Sequence, residues 1–123
     1  MPTLTEEQIE KEILELHQTV YEKYNYEMTE LRPPMGEFSE KSLAVTNNLG
    51  YRTVMWSFAY KDWEEKNQPN EKEAIELITK NFHSGEIMLL HANSSTNTNI
   101  LPEIIKQARE QGYVFESLKN FEE

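Results

Sequence analysis

The sequence predicts an α/β fold with about four parallel strands and four helices. Three observations lead there. Helix-like and strand-like runs alternate along the 123 residues, in the order α-β-α-β-α-β-α-β. Each strand-like run passes directly into a loop, as right-handed βα units do. The chemistry-bearing residues gather just after the strand-like runs, where open α/β sheets and barrels both place their ligands. Four such units make either an open α/β layer or half of a barrel. The length fits one small domain covering residues 1–123.

The elements follow in order. Residues 5–24 read as a helix: Thr5-x-x-Gln8 has the form of a capping box, and Ile9, Ile13, Leu16, Val20 and Tyr24 recur at helical spacing. Glu27–Leu31 is a short extended stretch, and Pro33 and Pro34 then force a loop because each biases its predecessor away from helix. Ser39 caps a second helix through Leu43 and Val45 to Leu49, which Gly50 ends. Tyr51–Phe58, rich in β-branched and aromatic residues, reads as a strand. Asn67–Asn70 is a turn, and Asn70-x-x-Glu73 opens a third helix with Ile75, Ile78 and Phe82 on one face. Ser84-Gly85 closes it, and Glu86–Leu90 is a buried-type strand. Asn93–Asn99 has no apolar residue and reads as a loop. Pro102 then falls in the first turn of a fourth helix that Gly112 ends, and Tyr113–Leu118 is a final strand.

Composition narrows the function. A net charge of −10 argues against nucleic acid and against anionic membrane surfaces, both of which want Lys and Arg. There is no cysteine, so disulfides and thiolate metal sites are excluded. The start, Met1–Glu7, has neither the basic nor the apolar region of a signal peptide, and the longest wholly apolar run is Ile87–Leu90.

Three segments carry chemistry. Arg32-Pro33-Pro34-Met35-Gly36 sets a guanidinium beside a rigid turn; a guanidinium orients a carboxylate bidentately, and the turn can aim the Met35 N–H at an oxyanion. Alone it is equally a turn with a surface arginine. Trp56–Trp63 ends in Asp62-Trp63, a carboxylate beside a large ring. Leu89-Leu90-His91 ends the most apolar strand, and a histidine with a neighbouring carboxylate suits general acid work. His17, among charged neighbours, reads as solvated. His83 reads as a donor to the last carbonyls of the third helix. Acidic clusters such as Glu6-Glu7-Glu10 or Glu122-Glu123 can hold a cation weakly, without catalytic meaning.

In this order, the three segments resemble the last three motifs of the NodB-type polysaccharide deacetylases, carbohydrate esterase family 4. Trp-Ser-x-Ala-x-x-Asp-Trp with Leu-Leu-His is most similar to the branch acting on N-acetylmuramic acid in peptidoglycan during δ-lactam formation; Ala59 stands where many members carry Asp. The resemblance implies about half of a distorted (β/α) barrel, the C-terminal half of the domain, with Met1–Leu4 corresponding to sequence just after the second motif. It implies hydrolysis of N-acetyl groups by water activated on a divalent metal of zinc or cobalt type, in an enzyme usually extracytoplasmic or cell-wall associated. Arg32 is then the residue that orients the general base, the Met35 N–H the oxyanion donor, and His91 the general acid with Asp62 beside it. Trp63 forms a wall of the sugar groove and Leu89 lines the acetyl pocket.

The family's first two motifs, Thr-x-Asp-Asp and His-x-x-x-His, hold the base and the metal. Neither occurs in these 123 residues, and Asp62 is the only aspartate. The chain is therefore expected to hold no catalytic metal by itself and to be inactive alone. The other expectation is a non-catalytic remnant that binds glycan or self-associates. A half-barrel also leaves strand edges and apolar residues such as Val54, Trp56, Ile87, Leu89 and Phe115 uncovered, so a homodimer is expected.

Overall fold

The computed structural model describes residues 1–121. It contains four α-helices and four strands of two residues each. The helices are α1 (Glu6–Tyr24), α2 (Glu40–Asn48), α3 (Glu71–Lys80) and α4 (Ser95–Glu110). The strands are β1 (Glu30–Leu31), β2 (Arg52–Thr53), β3 (Phe58–Ala59) and β4 (Met88–Leu89). β1 pairs with β2 and β3 with β4, both in parallel. The chain forms two compact units, the first ending at Met55 and the second starting at Trp56.

In the first unit, the predicted capping box on α1 is present: the Thr5 side chain accepts from Gln8 N–H and the Gln8 side chain accepts from Thr5 N–H. Ile9, Ile13, Val45 and Tyr51 form its core. Leu16 and Tyr24, expected on the apolar face, are exposed. The inward strip runs instead through Ile9, Ile13, His17 and Val20; helical spacing fits either set, and packing within the unit selects this one. His17 is not simply solvated, because its Nδ1 lies 2.5 Å from the Tyr51 hydroxyl. Burial, and then Glu27, pushes the Tyr51 phenol up from its ordinary value. Ser39 caps α2 and forms a reciprocal pair with Ser42.

In the second unit, Phe58, Ala74, Ile78, Ile100 and Ile104 form the core. Phe82 packs against it although α3 has already ended at Lys80. His83 does meet a carbonyl at that helix end, Asn81 O at 2.9 Å, and its other ring nitrogen lies 3.0 Å from Ser57 Oγ.

Three expectations are corrected. Tyr51–Phe58 is not one strand: Arg52–Thr53 pairs with β1 and Phe58–Ala59 with β4, and the stretch between them crosses from one unit to the other. Tyr113–Leu118 forms no ladder; Val114 and Phe115 are exposed and Leu118–Asn120 is a 3-10 turn. Aromatic and β-branched residues make a strand only where another backbone pairs with them. Finally, Asn93–Asn99 is largely helix, and Pro102 lies inside α4 rather than in its first turn. The first turn of α4 lacks apolar residues because its buried side chains, Thr96 and Asn97, face polar partners. Glu122 and Glu123 lie outside the described residues. Among the described residues no helix is long and apolar enough to cross a membrane.

Candidate functional site

The second unit brings together residues that follow its two strands. Asp62 comes three residues after β3 and His91 two residues after β4. Asp62 is 0% exposed. A carboxylate cannot be buried without donors, and three converge on it. Its Oδ1 lies 2.7 Å from His91 Nδ1. Its Oδ2 accepts from the His91 backbone N–H at 2.8 Å and from Asn97 Nδ2 at 2.6 Å. A carboxylate is an acceptor only, so Nδ1 must carry a proton to bond to it. The other ring nitrogen, Nε2, is left for outside contact, and the His91 side chain is 35% exposed.

Asn97 is held in turn. Its Nδ2 also donates to the His91 carbonyl at 3.1 Å, and its Oδ1 accepts from the Tyr60 hydroxyl. Burial, and then the Asp62 charge, pushes the Tyr60 phenol up to about 12, so it remains a donor at any ordinary pH. Asn97 sits at the third position of α4, whose cap Ser94 accepts from its N–H at 3.0 Å. Ser94 donates to Gln68 Oε1, and Gln68 Nε2 donates to the Asp62 carbonyl at 3.0 Å. The loop after β3, the first turn of α4 and the end of β4 are thus tied by buried hydrogen bonds.

Trp63 stands half-exposed beside this pair, its ring edge-on to His91 with centroids 5.8 Å apart. Asn93 Nδ2 donates to the Trp63 carbonyl at 3.3 Å. Leu89, partly buried, lies in β4 two residues before His91. Asp62, Trp63 and His91 are therefore in contact, with Leu89 on the strand leading to them.

Arg32 and Met35 belong to the first unit. Arg32 is exposed and directly follows β1. The Pro34–Gly36 turn is closed by Gly36 N–H to Pro33 O at 3.0 Å and Glu37 N–H to Pro34 O at 3.1 Å. Neither bond uses the Met35 N–H. Met35 itself has φ 58 and is 86% exposed. A non-glycine residue held left-handed is uncommon and strained.

Among the described residues, no three His, Cys, Asp or Glu side chains come together as a metal-ligand set. Asp62 is committed to His91 and Asn97. The divalent metal implied by the sequence motifs does not fit these residues by themselves.

Sequence reading singled out Asp62, Trp63, Leu89 and His91 but not Tyr60, Gln68, Ser94 or Asn97, which the structure places around Asp62. Strand alternation places Phe58, Tyr60 and Asp62 on one face, which was the available signal for Tyr60. Ser94-x-x-Asn97 has the spacing of a cap and its third residue, which was the signal for α4.

The chain is similar to known proteins along most of its length. Residues 1–54 match the family model described as Polysaccharide deacetylase. The peptidoglycan-N-acetylmuramic acid deacetylase PdaA of Bacillus subtilis is 40% identical over 119 residues, 96% of this chain and 45% of that protein. The solved structure of that family 4 carbohydrate esterase superposes with a TM-score of 0.89 at 39% identity, over 96% of this chain and 51% of that one. A CE4 family pseudoenzyme from Bacillus anthracis gives a TM-score of 0.83 at 25% identity, over 92% of this chain and 39% of its own. The chain spans about half the length of the relatives it matches. Over that length it resembles the NodB-type polysaccharide deacetylases of carbohydrate esterase family 4.

Proposed function

We infer that this chain is the C-terminal portion of a peptidoglycan N-deacetylase, about half of a distorted barrel, and supplies the proton-donating side of its site. The observation that carries this is the contact between the buried Asp62 and His91, together with the similarity to a deacetylase of N-acetylmuramic acid. His91 gives the proton on Nε2 to the departing amine nitrogen as the acetyl C–N bond breaks. Asp62 orients the ring and balances the imidazolium. Trp63 stacks at the sugar face, and Leu89 lines the space for the acetyl methyl. Arg32 orients the general base, and the Met35 N–H, left unused by its turn, donates to the oxyanion. The base and the metal ligands are not among these 123 residues, so the chain alone is inactive. The test is acetate release from peptidoglycan and chito-oligosaccharides with zinc or cobalt. The chain alone gives none; joined to a segment carrying Thr-x-Asp-Asp and His-x-x-x-His it gives turnover that His91→Ala removes. Turnover by the isolated chain, or turnover indifferent to His91→Ala, rejects the reading.

A second reading, a non-catalytic module that binds glycan or pairs with a second copy, is favoured by two observations. One is the similarity to a pseudoenzyme. The other is an open groove of about 610 Å³ in the second unit, beside which Val114, Phe115 and Phe121 are exposed. A net charge of −10 opposes nonspecific aggregation and favours a closed two-fold pair. Light scattering at micromolar concentration distinguishes a dimer, reduced by Phe115→Glu, from a monomer.

A further inference from the structure

We propose that Asn97 is the positioning residue of the Asp62–His91 pair, and that Tyr60 sets the direction in which its amide faces. The inference rests on His91 as the acid of the site. Asp62 Oδ1 reaches only the His91 ring, whereas Oδ2 is shared between the His91 backbone and Asn97. The Asn97 amide, together with the His91 backbone N–H, keeps the carboxylate from rotating about its own bond and drawing Oδ1 away from Nδ1, and Asn97 is the side chain of the two. Its Nδ2 faces two acceptors, Asp62 Oδ2 and the His91 carbonyl. Turned over, the amide would set Oδ1 against both, leaving acceptors facing acceptors. Tyr60 prevents this by donating its hydroxyl proton to Asn97 Oδ1. Donation therefore runs one way, from Tyr60 to Asn97 to Asp62. Asp62 can then only accept from His91, with the proton on Nδ1 and Nε2 turned outward. Asn97 is buried, and its side chain is held by Asp62, His91 and Tyr60. It acts through Asp62.

The tautomer of His91 reads this directly and needs no turnover. In the ¹⁵N-labelled chain the imidazole nitrogens of the three histidines are resolved by long-range ¹H–¹⁵N correlation, with His91→Ala giving the assignment. The wild-type chain is expected to hold neutral His91 with its proton on Nδ1. Asn97→Ala is expected to lower the Nδ1–H to Nε2–H ratio by about tenfold, the factor that one charge-assisted hydrogen bond commands. Asn97→Asp, the same shape with the donor replaced by an acceptor, lowers it further. Tyr60→Phe lowers it in the same direction by less. An unchanged ratio in Asn97→Ala or Asn97→Asp overturns the proposal. If circular dichroism shows those variants unfolded, Tyr60→Phe decides alone, and an unchanged ratio there overturns it. In the chain joined to a segment carrying Thr-x-Asp-Asp and His-x-x-x-His, Asn97→Ala is expected to lower kcat and leave KM unchanged. Absence of deacetylation there, with the tautomer shift intact, rejects the deacetylase reading and leaves the positioning role standing.

Discussion

One carboxylate grips His91 twice: Asp62 Oδ1 is 2.7 Å from the ring Nδ1, and Asp62 Oδ2 is 2.8 Å from the backbone N–H of the same residue. This side chain in the loop after β3 therefore fixes both the course of the chain leaving β4 and the orientation of the imidazole it carries. A single residue does structural and chemical service, and its removal has consequences for both.

Asp62→Ala is expected to lower the stability of the chain by about 3 kcal/mol, because it leaves the His91 N–H and one of the two Asn97 amide hydrogens without an acceptor. Urea denaturation followed by circular dichroism measures this. A loss below about 0.5 kcal/mol, the range of ordinary surface changes, contradicts the account of the buried network.

Met35 holds a left-handed backbone between Pro34 and Gly36. Met35→Gly is expected to leave stability unchanged or raise it slightly, since glycine occupies that region freely. Met35→Val is expected to cost about 1–2 kcal/mol, because a β-branched side chain fits it poorly. The difference between the two denaturation midpoints is the measurement. Equal midpoints mean that the turn relaxes in solution.

Tyr60 titrates at about 12 in the folded chain, against an ordinary value of 10.0, because of burial and then Asp62. A raised folded value means that the folded state keeps the proton longer than the unfolded one. Its contribution to stability is complete below the ordinary value and disappears as pH rises through the folded one. Denaturation midpoints are thus expected to fall between pH 10.0 and about 12. Tyr51, raised in the same direction, adds to that fall, so Tyr60→Phe is expected to flatten the curve only in part. An unaltered slope in Tyr60→Phe contradicts the assignment.

Glu86 is pushed up by burial against the opposing pull of His83, and among the described residues its Oε1 has no hydrogen-bond partner. The folded state here favours the protonated carboxyl, so its contribution to stability is present in acid and lost as pH rises through the folded value. Glu86→Gln is expected to raise the melting temperature at neutral pH. The gain is expected to vanish once the wild-type carboxyl is itself protonated. A gain that persists unchanged into acid points to some cause other than charge burial.

The sequence by itself determined the local pieces. The caps at Thr5, Ser39 and Asn70 place three helix starts, because a side-chain acceptor three residues before a free N–H is a contact along the chain. It also singled out Arg32, Asp62 and His91 as candidates for chemistry, since each follows a strand-like run. Tertiary structure decided what those local signals cannot contain. Tyr51–Phe58 has one continuous β-forming pattern, yet it splits because two different partners, β1 and β4, claim its ends. Tyr113–Leu118 has the pattern and joins neither sheet among the described residues. Asn93–Asn99 looks like a loop because its polarity serves a buried carboxylate 35 residues away in sequence, through Asn97. Pairing and burial are properties of two segments at once. A sequence reports the capacity of each segment for them, and only the fold brings the second segment to meet it.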